Sequence, residues 1–318
     1  MIISIGEILI DFVSDEIGSL EKVKIFNKYP GGAPANFSVG IARLNLEITF
    51  IGMVGNDPFG EFLVSFLKKE GVNTKYIEKT ENNERTALAF VSLDETGERS
   101  FVFYRNNAAD LKLSPEKITD DIINKCEYLH FGTLSLSSEP SKSATIKAIT
   151  ECKRNGAKIC FDPNLRMDIW QSKELLRETI SHVLPYVDIL YPSYEELSFI
   201  LGKEVSEEEA INVLMEKYPI EIIALKKGKD GCLLKSREGF FLTIPSFEVP
   251  IIDTTGAGDG FNAGFIFGLS TGKTLEEAGI IGNAIGALVI QKRGAMTSLP
   301  TLNELKEFLI NQRVTLSI

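Results

Sequence analysis

The sequence predicts an α/β protein with a doubly wound central sheet that is covered by helices on both faces. Short β-branched segments alternate with longer helical segments, which is typical of strands linked by crossover helices. Several of the short segments are apolar at every position, as expected for strands that are buried on both faces. The chain has 318 residues, of which 44% are hydrophobic, and this is enough to bury a large core.

The predicted elements alternate along a single domain that spans residues 1–318. The predicted strands are Ile2–Leu9, Ile48–Ile51, Tyr128–Phe131, Lys158–Phe161, Asp188–Leu190 and Glu221–Leu225, with a further strand that ends at Pro250. The predicted helices are Ala35–Leu44, Gly60–Glu70, Ser141–Asn155, Lys173–Leu184, Tyr194–Leu201, Glu207–Lys217, Gly258–Leu269 and Leu275–Gln291. The predicted strands are shorter and richer in β-branched residues than the predicted helices.

Two regions, at about residues 12–30 and 85–105, depart from this alternation. The second contains two apolar runs on either side of a polar turn at residues 94–98, a pattern that predicts a β-hairpin. Strands without a crossover helix indicate a small separate β-sheet that is inserted twice into the α/β body. Such a sheet would serve as a lid over a ligand site. An edge hairpin without such a role is the alternative.

Charge and cysteine content exclude several classes of function. The net charge of −10 repels nucleic acid and anionic lipid, so we expect neither a nucleic-acid nor a membrane partner. The four cysteines form no CxxC pair, and the two histidines are far apart, which argues against a zinc site. The first residues predict a strand and not a signal peptide, so a cytoplasmic location is expected.

The most informative segment is Asp253-Thr-Thr-Gly-Ala-Gly-Asp259, which opens an apolar helix. Glycines allow a tight turn whose N–H groups lie at the positive end of the helix, where anions bind. A carboxylate beside an anion needs a chemical reason, and we predict that Asp259 is a general base. The backbone amides of Gly256, Ala257 and Gly258 would stabilise a transferring phosphoryl group. The alternative is that Asp259 only caps the helix.

Two other glycine motifs carry no prediction. A dinucleotide fingerprint would need a third glycine at position 261, which is Phe261. The segment Gly268–Thr274 is similar to a phosphate-binding P-loop, but it has one residue too few between its glycines. It also joins two predicted helices, whereas a P-loop follows a strand.

Together with Gly31-Gly-Ala-Pro-Ala-Asn36, the Asp253–Asp259 segment resembles the two signatures of the PfkB, or ribokinase, family of carbohydrate kinases. The resemblance covers essentially the whole chain, and the segments 103–110, 130–135 and 161–170 are most similar to fructokinases. It implies a ribokinase-like fold and an ATP-dependent kinase that phosphorylates O6 of fructose. Alternatives are a 2-keto-3-deoxygluconate kinase or another sugar kinase of the family, and a non-catalytic sugar or nucleotide sensor.

The resemblance also implies a set of site residues. The sugar pocket would contain Asp11, Gly31, Gly32, Asn36, Arg105 and Arg166. ATP with Mg²⁺ would contact Lys226, Gly228, Gly231, Asn283 and Glu196. A monovalent cation such as K⁺ would contact Asp253, Thr255, the Ser298 hydroxyl and backbone carbonyls around Val289, Lys292 and Gly294.

Some of these assignments have alternatives. Arg105 would instead pair with Asp110, and Asn283 would instead bond to neighbouring backbone. The family often has Asn-x-x-Glu where this chain has Ser193-Tyr-Glu-Glu196, a departure that weakens the case for Ser193 as a ligand.

The resemblance finally implies a homodimer through the lid sheets, for which Phe90, Phe101 and Phe103 are candidate contacts. Alternation along the strands would equally bury these three rings against the body of the protein.

Overall fold

The computed structural model of the protein describes residues 1–93, 99–316 and 318. The strands of this part of the chain are β1 (Ile2–Ile5), β2 (Leu9–Ile17), β3 (Phe26–Gly31), β4 (Ile48–Val54), β5 (Asn73–Lys79), β6 (Leu88–Leu93), β7 (Arg99–Tyr104), β8 (Tyr128–Gly132), β9 (Lys158–Asp162), β10 (Ile189–Leu190), β11 (Ile222–Lys226), β12 (Cys232–Ser236) and β13 (Phe241–Ile244). The α-helices are α1 (Ala33–Arg43), α2 (Pro58–Lys69), α3 (Asp120–Ile123), α4 (Ser141–Arg154), α5 (Lys173–Val183), α6 (Tyr194–Leu201), α7 (Glu207–Lys217), α8 (Ala257–Ser270), α9 (Leu275–Val289), α10 (Ala295–Ser298) and α11 (Leu302–Asn311).

A nine-stranded sheet forms the centre of the molecule, in the order β13-β12-β11-β10-β9-β8-β1-β4-β5. The seven strands from β11 to β5 are parallel, and β12 and β13 add an antiparallel edge. Strand β1 lies in the middle, where Ile2 is opposite both Ile48 and Tyr128. All the parallel strands therefore end at one edge, which is where open α/β sheets bind ligands.

Two hydrophobic cores cover the two faces of this sheet. Helices α1, α2, α8, α9 and α11 contribute to the first core, and α3 to α7 contribute to the second. Neighbouring residues of β1 point to opposite faces, so that Ile2 belongs to the first core and Ile3 to the second. The prediction of a doubly wound sheet with helices on both faces is confirmed.

A second, four-stranded sheet has the order β3-β2-β6-β7, with β2 and β6 parallel. Its strands come from the two regions that were predicted to form a separate sheet, although the first strand already begins at Leu9. The predicted polar turn at residues 94–98 lies outside the described residues. None of the described helices has both the length and the apolar character needed to cross a bilayer.

Several predicted boundaries were wrong. The predicted strand Ile2–Leu9 is divided, because β1 ends at Ile5 and Leu9 already belongs to the small sheet. A continuous apolar run does not show where a chain moves from one sheet to another. No strand ends at Pro250; the chain is irregular between β13 and the turn before α8. Two prolines, Pro245 and Pro250, interrupt this segment, and proline cannot donate to a ladder.

Candidate active site

Two adjoining cavities open at the carboxyl edge of the large sheet. The lid cavity, of about 300 Å³, has the small sheet as one wall. The helix cavity, of about 570 Å³, lies against α8 and α9. Lys226, Thr254 and Gly258 line both cavities and therefore mark their boundary. Two ligands bound here would meet at the N-terminus of α8.

Asp259, in the first turn of α8, lines the lid cavity. The amide of Asn36 donates a hydrogen bond to its Oδ2 at 2.7 Å, which brings together two motifs that lie 223 residues apart. Burial raises the pKa of Asp259 to about 6, and the charge of Asp162 acts in the same direction. Near neutral pH the group is thus a carboxylate that gains a proton readily, as a general base requires.

The turn before Asp259 depends on glycine. Gly256 has φ of 81° at the start of α8, and a Cβ there would lie 2.9 Å from Ala295. Among the first N–H groups of α8, that of Ala257 donates to the carbonyl oxygen of Thr254 at 3.3 Å, and Gly258 lines both cavities. A helix N-terminus of this kind can bind an anion, and the role of the Gly256, Ala257 and Gly258 amides in such a site stays a prediction.

The glycine pair of the first signature allows close packing around the lid cavity. A Cβ on Gly31 would lie 2.0 Å from the carboxylate of Asp11, and a Cβ on Gly32 would lie 2.6 Å from the carbonyl oxygen of Glu7. Gly32 also has φ of 105°, which favours glycine. Gly32 lines the cavity, whereas Gly31 supports the cavity-lining Asp11 from behind.

Asp11 and Arg166 both line the lid cavity. Burial raises the pKa of Asp11 to about 7, against the opposing charge of Arg166. The Arg166 guanidinium lies 5.7 Å from the ring centre of Phe101 on β7, a cation–π distance. Asp11 lies beyond the predicted strand Ile2–Leu9, within β2 of the small sheet. The sheet that forms the cavity wall therefore also supplies one of its carboxylates.

Arg105 does not line the lid cavity. Its side chain is 4% exposed and forms an ion pair with Asp110 at 2.6 Å. It also donates to Ser137 Oγ and to the carbonyl oxygen of Leu134, each at 3.0 Å. The structure thus has the pairing with Asp110 that was the alternative prediction, and sugar contact by Arg105 stays a prediction.

Four of the predicted nucleotide residues, Lys226, Gly228, Gly231 and Asn283, line the helix cavity. Gly228 begins a single 3₁₀ turn between β11 and β12, Gly231 follows that turn, and both glycines have positive φ. The side-chain nitrogen of Asn283 donates to the carbonyl oxygens of Ile244 and its neighbour, each at 3.1 Å. Asn283 therefore has the backbone bonding that was the alternative prediction, and its contact with a nucleotide in the cavity that it lines stays a prediction.

Glu196 lines the lid cavity and not the helix cavity. Its carboxylate accepts from the backbone N–H of Ser193 at 2.8 Å and from that of Leu165 at 3.1 Å. Ser193 in turn caps α6, which completes a capping box. Burial raises the pKa of Glu196, and Lys226 opposes this shift. The Ser-x-x-Glu sequence thus fixes the loop that carries Arg166.

The predicted monovalent-cation residues are only partly brought together. The carboxylate of Asp253 accepts from both the N–H and the hydroxyl of Thr255, and from the N–H of Gly294 at 3.0 Å. The Ser298 hydroxyl donates to Ala295 at 2.9 Å. The carbonyl oxygen of Val289 accepts from the N–H of Lys292 at 3.2 Å, and a cation among these residues stays a prediction.

The sequence interpretation missed two carboxylates of the lid cavity, Glu7 and Asp162. Asp162 ends β9 and is 3% exposed. Its position at the carboxyl end of a predicted strand was a usable signal, since ligand sites of such sheets lie there. Glu7 follows β1, is also 3% exposed, and has a pKa that burial raises to about 7.

The aromatic residues of the small sheet point to opposite sides. Phe101 and Phe103 line the lid cavity, as strand alternation had allowed. Phe90 lies on the other face, where its ring stacks on Phe12 at 5.1 Å and contacts Tyr104 at 5.5 Å. Among the three candidate dimer contacts, Phe90 alone is on this outer face.

Comparison with known proteins gives one consistent result. The model of the pfkB family carbohydrate kinases matches residues 1–302. Fructokinase-1 of Oryza sativa subsp. japonica is 38% identical over 95% of this chain and 95% of its own length. Fructokinase-2 of Solanum lycopersicum is 37% identical over 96% of this chain and 94% of its own.

Solved structures agree with this result. An uncharacterized sugar kinase from Pyrococcus horikoshii in complex with ATP is 36% identical, with a TM-score of 0.85 over 96% of this chain and 97% of that one. A fructokinase double mutant from Vibrio cholerae O395, in its fructose, ADP and potassium ion bound form, is 34% identical. Its TM-score is 0.88 over 97% of this chain and 98% of that one.

Proposed function

The chain belongs to the PfkB family of carbohydrate kinases, and we propose that this sugar kinase transfers the γ-phosphoryl group of ATP to O6 of fructose. The observation that supports this most is the position of Asp259. Its carboxylate lies in the lid cavity, in the first turn of the helix whose N-terminus separates the two cavities. A sugar hydroxyl on one side and a phosphate on the other would both reach that point.

The reaction would proceed as an in-line displacement. The O6 hydroxyl of fructose gives its proton to Asp259 as its oxygen bonds to the γ-phosphorus. The bond from that phosphorus to the β–γ bridging oxygen breaks, and its electron pair leaves with ADP. The amides of Gly256, Ala257 and Gly258 offset the charge on the phosphoryl oxygens. The products are ADP and fructose 6-phosphate.

The charge of the lid cavity favours a neutral sugar over a keto acid. Its lining carboxylates are Glu7, Asp11, Asp162, Glu196 and Asp259. Its lining cations are Arg166 and Lys226, and Lys226 is already paired with Asp162. The second arginine proposed for a substrate carboxylate, Arg105, is held by Asp110. The hydroxyl groups of a sugar can donate hydrogen bonds to these carboxylates, whereas the carboxylate of a keto acid would be repelled by the negative charge of the cavity.

The residues fit a magnesium ion that arrives with the nucleotide. Magnesium commonly keeps several waters and binds through one or two carboxylates and the substrate phosphates. Within the described ranges, no cluster of three or more His, Cys, Asp or Glu side chains forms a metal cage. Glu196 is the carboxylate proposed to lie near the ion, which supplies charge neutralisation when bound. For K⁺, we propose Asp253 and Thr255, whose oxygen atoms suit a hard cation.

Two further proposals concern the protein as a whole. A cytoplasmic location is proposed because the four cysteines are free and buried, as is usual in a reducing compartment. A homodimer through the small sheets is proposed because Val102 and Tyr104, on the outer face, are 44% and 64% exposed.

The first experiment measures ADP release from ATP and Mg²⁺ with fructose, glucose, ribose, adenosine and 2-keto-3-deoxygluconate. We expect turnover with fructose that exceeds every other substrate by at least about tenfold in kcat/KM, or about 1.4 kcal/mol. Selective turnover of the keto acid would reassign Arg166 to a substrate carboxylate and overturn the fructose assignment. Binding of ATP without any turnover would instead support the sensor hypothesis.

A further inference from the structure

A buried ion pair joins β9 and β11 at the boundary of the two cavities. Asp162 Oδ1 accepts from Lys226 Nζ at 2.9 Å, and Oδ2 accepts from the amide of Asn262 at 2.7 Å. The side chains of Asp162 and Lys226 are 4% and 18% exposed. Both carboxylate oxygens are therefore engaged, and they fix the position of the ammonium group.

The ammonium group lies beside the predicted anion site. Lys226 lines both cavities, and the Cβ position of Gly258 would be 3.6 Å from Nζ. An ammonium has three N–H donors, of which Asp162 accepts one. The group is thus held within reach of a phosphate that lies at the N-terminus of α8.

The surrounding charges make a fixed cation necessary at this point. A phosphate at this boundary lies near the carboxylates of Asp162 and Asp259, and like charges repel strongly where water is excluded. Burial lowers the pKa of Lys226, but Asp162 and Glu196 outweigh it and raise the pKa above its usual value. Lys226 therefore keeps its positive charge in a buried position.

We propose that Lys226 contacts the phosphoryl group as it passes from ATP to the sugar, and that Asp162 is the positioning residue that holds the ammonium there. This inference rests on the proposed kinase function and adds a residue to its transition state. The bonds that form and break are those given above, with the hydroxyl proton going to Asp259. Lys226 keeps its own protons and offsets the negative charge that crosses the boundary.

The decisive variant is Lys226→Met, and the same two strands supply a matched control. At the opposite end of β9, Lys158 pairs with Glu221, the residue before β11, at 2.7 Å. We expect kcat to fall roughly 100-fold or more in Lys226→Met, as for loss of one transition-state donor. In Lys158→Met it should stay within about twofold, because surface ion pairs contribute little. Equal effects of the two substitutions would overturn the proposal.

The loss of Lys226 leaves Asp162 buried without its cation, so stability must be separated from catalysis. Thermal unfolding of each variant identifies those that fold, and Lys226→Arg keeps the charge. We expect Lys226→Arg to recover at least about tenfold in kcat over Lys226→Met, because a positive charge beside the transferring phosphoryl group is the property required. No recovery in a folded Lys226→Arg protein would count against a direct role for the charge.

Nucleotide binding tests the same contact without any sugar turnover. Calorimetry would compare ATP and ADP, which differ by one phosphoryl group, in the wild type, Lys226→Met and Lys158→Met. We expect Lys226→Met to lower the affinity for ATP more than the affinity for ADP. An equal loss of affinity for the two nucleotides, or no loss for either, would show that Lys226 does not contact the γ-phosphoryl group. An inactive wild type that shows the differential loss would refute the kinase function and not this contact.

The pH profile distinguishes a positioning role for Asp162 from a merely structural one. Asp259 interacts with the charges of Asp162, Asp11, Lys226 and Arg166. Removing a negative neighbour in Asp162→Asn should move the acid limb of kcat/KM to lower pH. Removing the positive neighbour in Lys226→Met should move it to higher pH. Shifts in the same direction, or none, would contradict the arrangement.

Discussion

The two cavities differ in how they are built. The lid cavity is lined by charged groups, with Asp11, Asp162 and Asp259 coming from three different elements. The helix cavity is lined largely by glycines and aliphatic side chains, among them Gly282, Gly286 and Ile290. A site that moves a proton needs fixed charges whose protonation is tuned, whereas a site that holds a nucleotide needs close backbone approach. Changes in the first should therefore alter kcat and its pH dependence, and changes in the second should alter the KM for ATP.

The largest effect is expected for Asp259→Asn, which removes the proposed base and preserves the shape of the side chain. We expect kcat to fall roughly 10²–10⁴-fold, the usual contribution of a general base. The affinity for ATP should change little, because Asp259 lines the lid cavity and not the helix cavity. Steady-state kinetics and calorimetry measure the two quantities. In the wild type, kcat/KM should decrease below about pH 6, since protonation inactivates the base. Near-normal turnover by the variant would refute the assignment.

A smaller effect is expected for Gly231→Ala, in the turn that borders the helix cavity. Gly231 has φ of 88°, and a Cβ there would lie 2.0 Å from the carbonyl oxygen of Ile244, so the turn must move. We expect the KM for ATP to rise about tenfold, a loss of ~1.4 kcal/mol, with little change in kcat. Gly239→Ala is the control, because Gly239 has φ of 97° but open space around it. If both variants raised the KM equally, backbone strain alone would explain the effect.

The smallest effect is expected on stability, from Glu7→Gln. Burial raises the pKa of Glu7 to about 7, and its Oε2 has no hydrogen-bond partner in the described structure. The folded state thus binds this proton more tightly than the unfolded state. The resulting stability is present below pH 4.5 and is lost as the pH rises through 7.

Glutamine carries no charge and can still accept from the N–H of Ala33, as Glu7 does at 3.1 Å. Glu7→Gln should therefore raise the unfolding free energy at pH 8, by up to about 3 kcal/mol, and by much less at pH 5. Thermal unfolding at both pH values measures this, with the exposed Glu238→Gln as control. A gain of the same size at both values would exclude the charge as its cause.

The alternation of strands and helices was enough to predict the large sheet, but not all of its edges. Strand β5 has a polar, partly exposed pattern, because it is an edge strand without two buried faces. Strands β12 and β13 form an antiparallel hairpin at the other edge. The expected alternation of parallel strands and crossover helices does not include such a hairpin. The break after Ile5 was hidden because both sheets use similar apolar residues.

The sequence by itself determined the fold class and the family signatures, and it identified Asp259 and the glycines before it as candidate catalytic residues. These features depend on local spacing, which fixes a helix start or a tight turn without knowledge of distant residues. Tertiary structure alone decided the charge partners. Asp162 meets Lys226 across 64 residues, and Arg105 takes the pairing with Asp110 that the sequence had left as one of two alternatives. The energy of a buried charge depends on which groups surround it in space, and spacing along the chain does not contain that information.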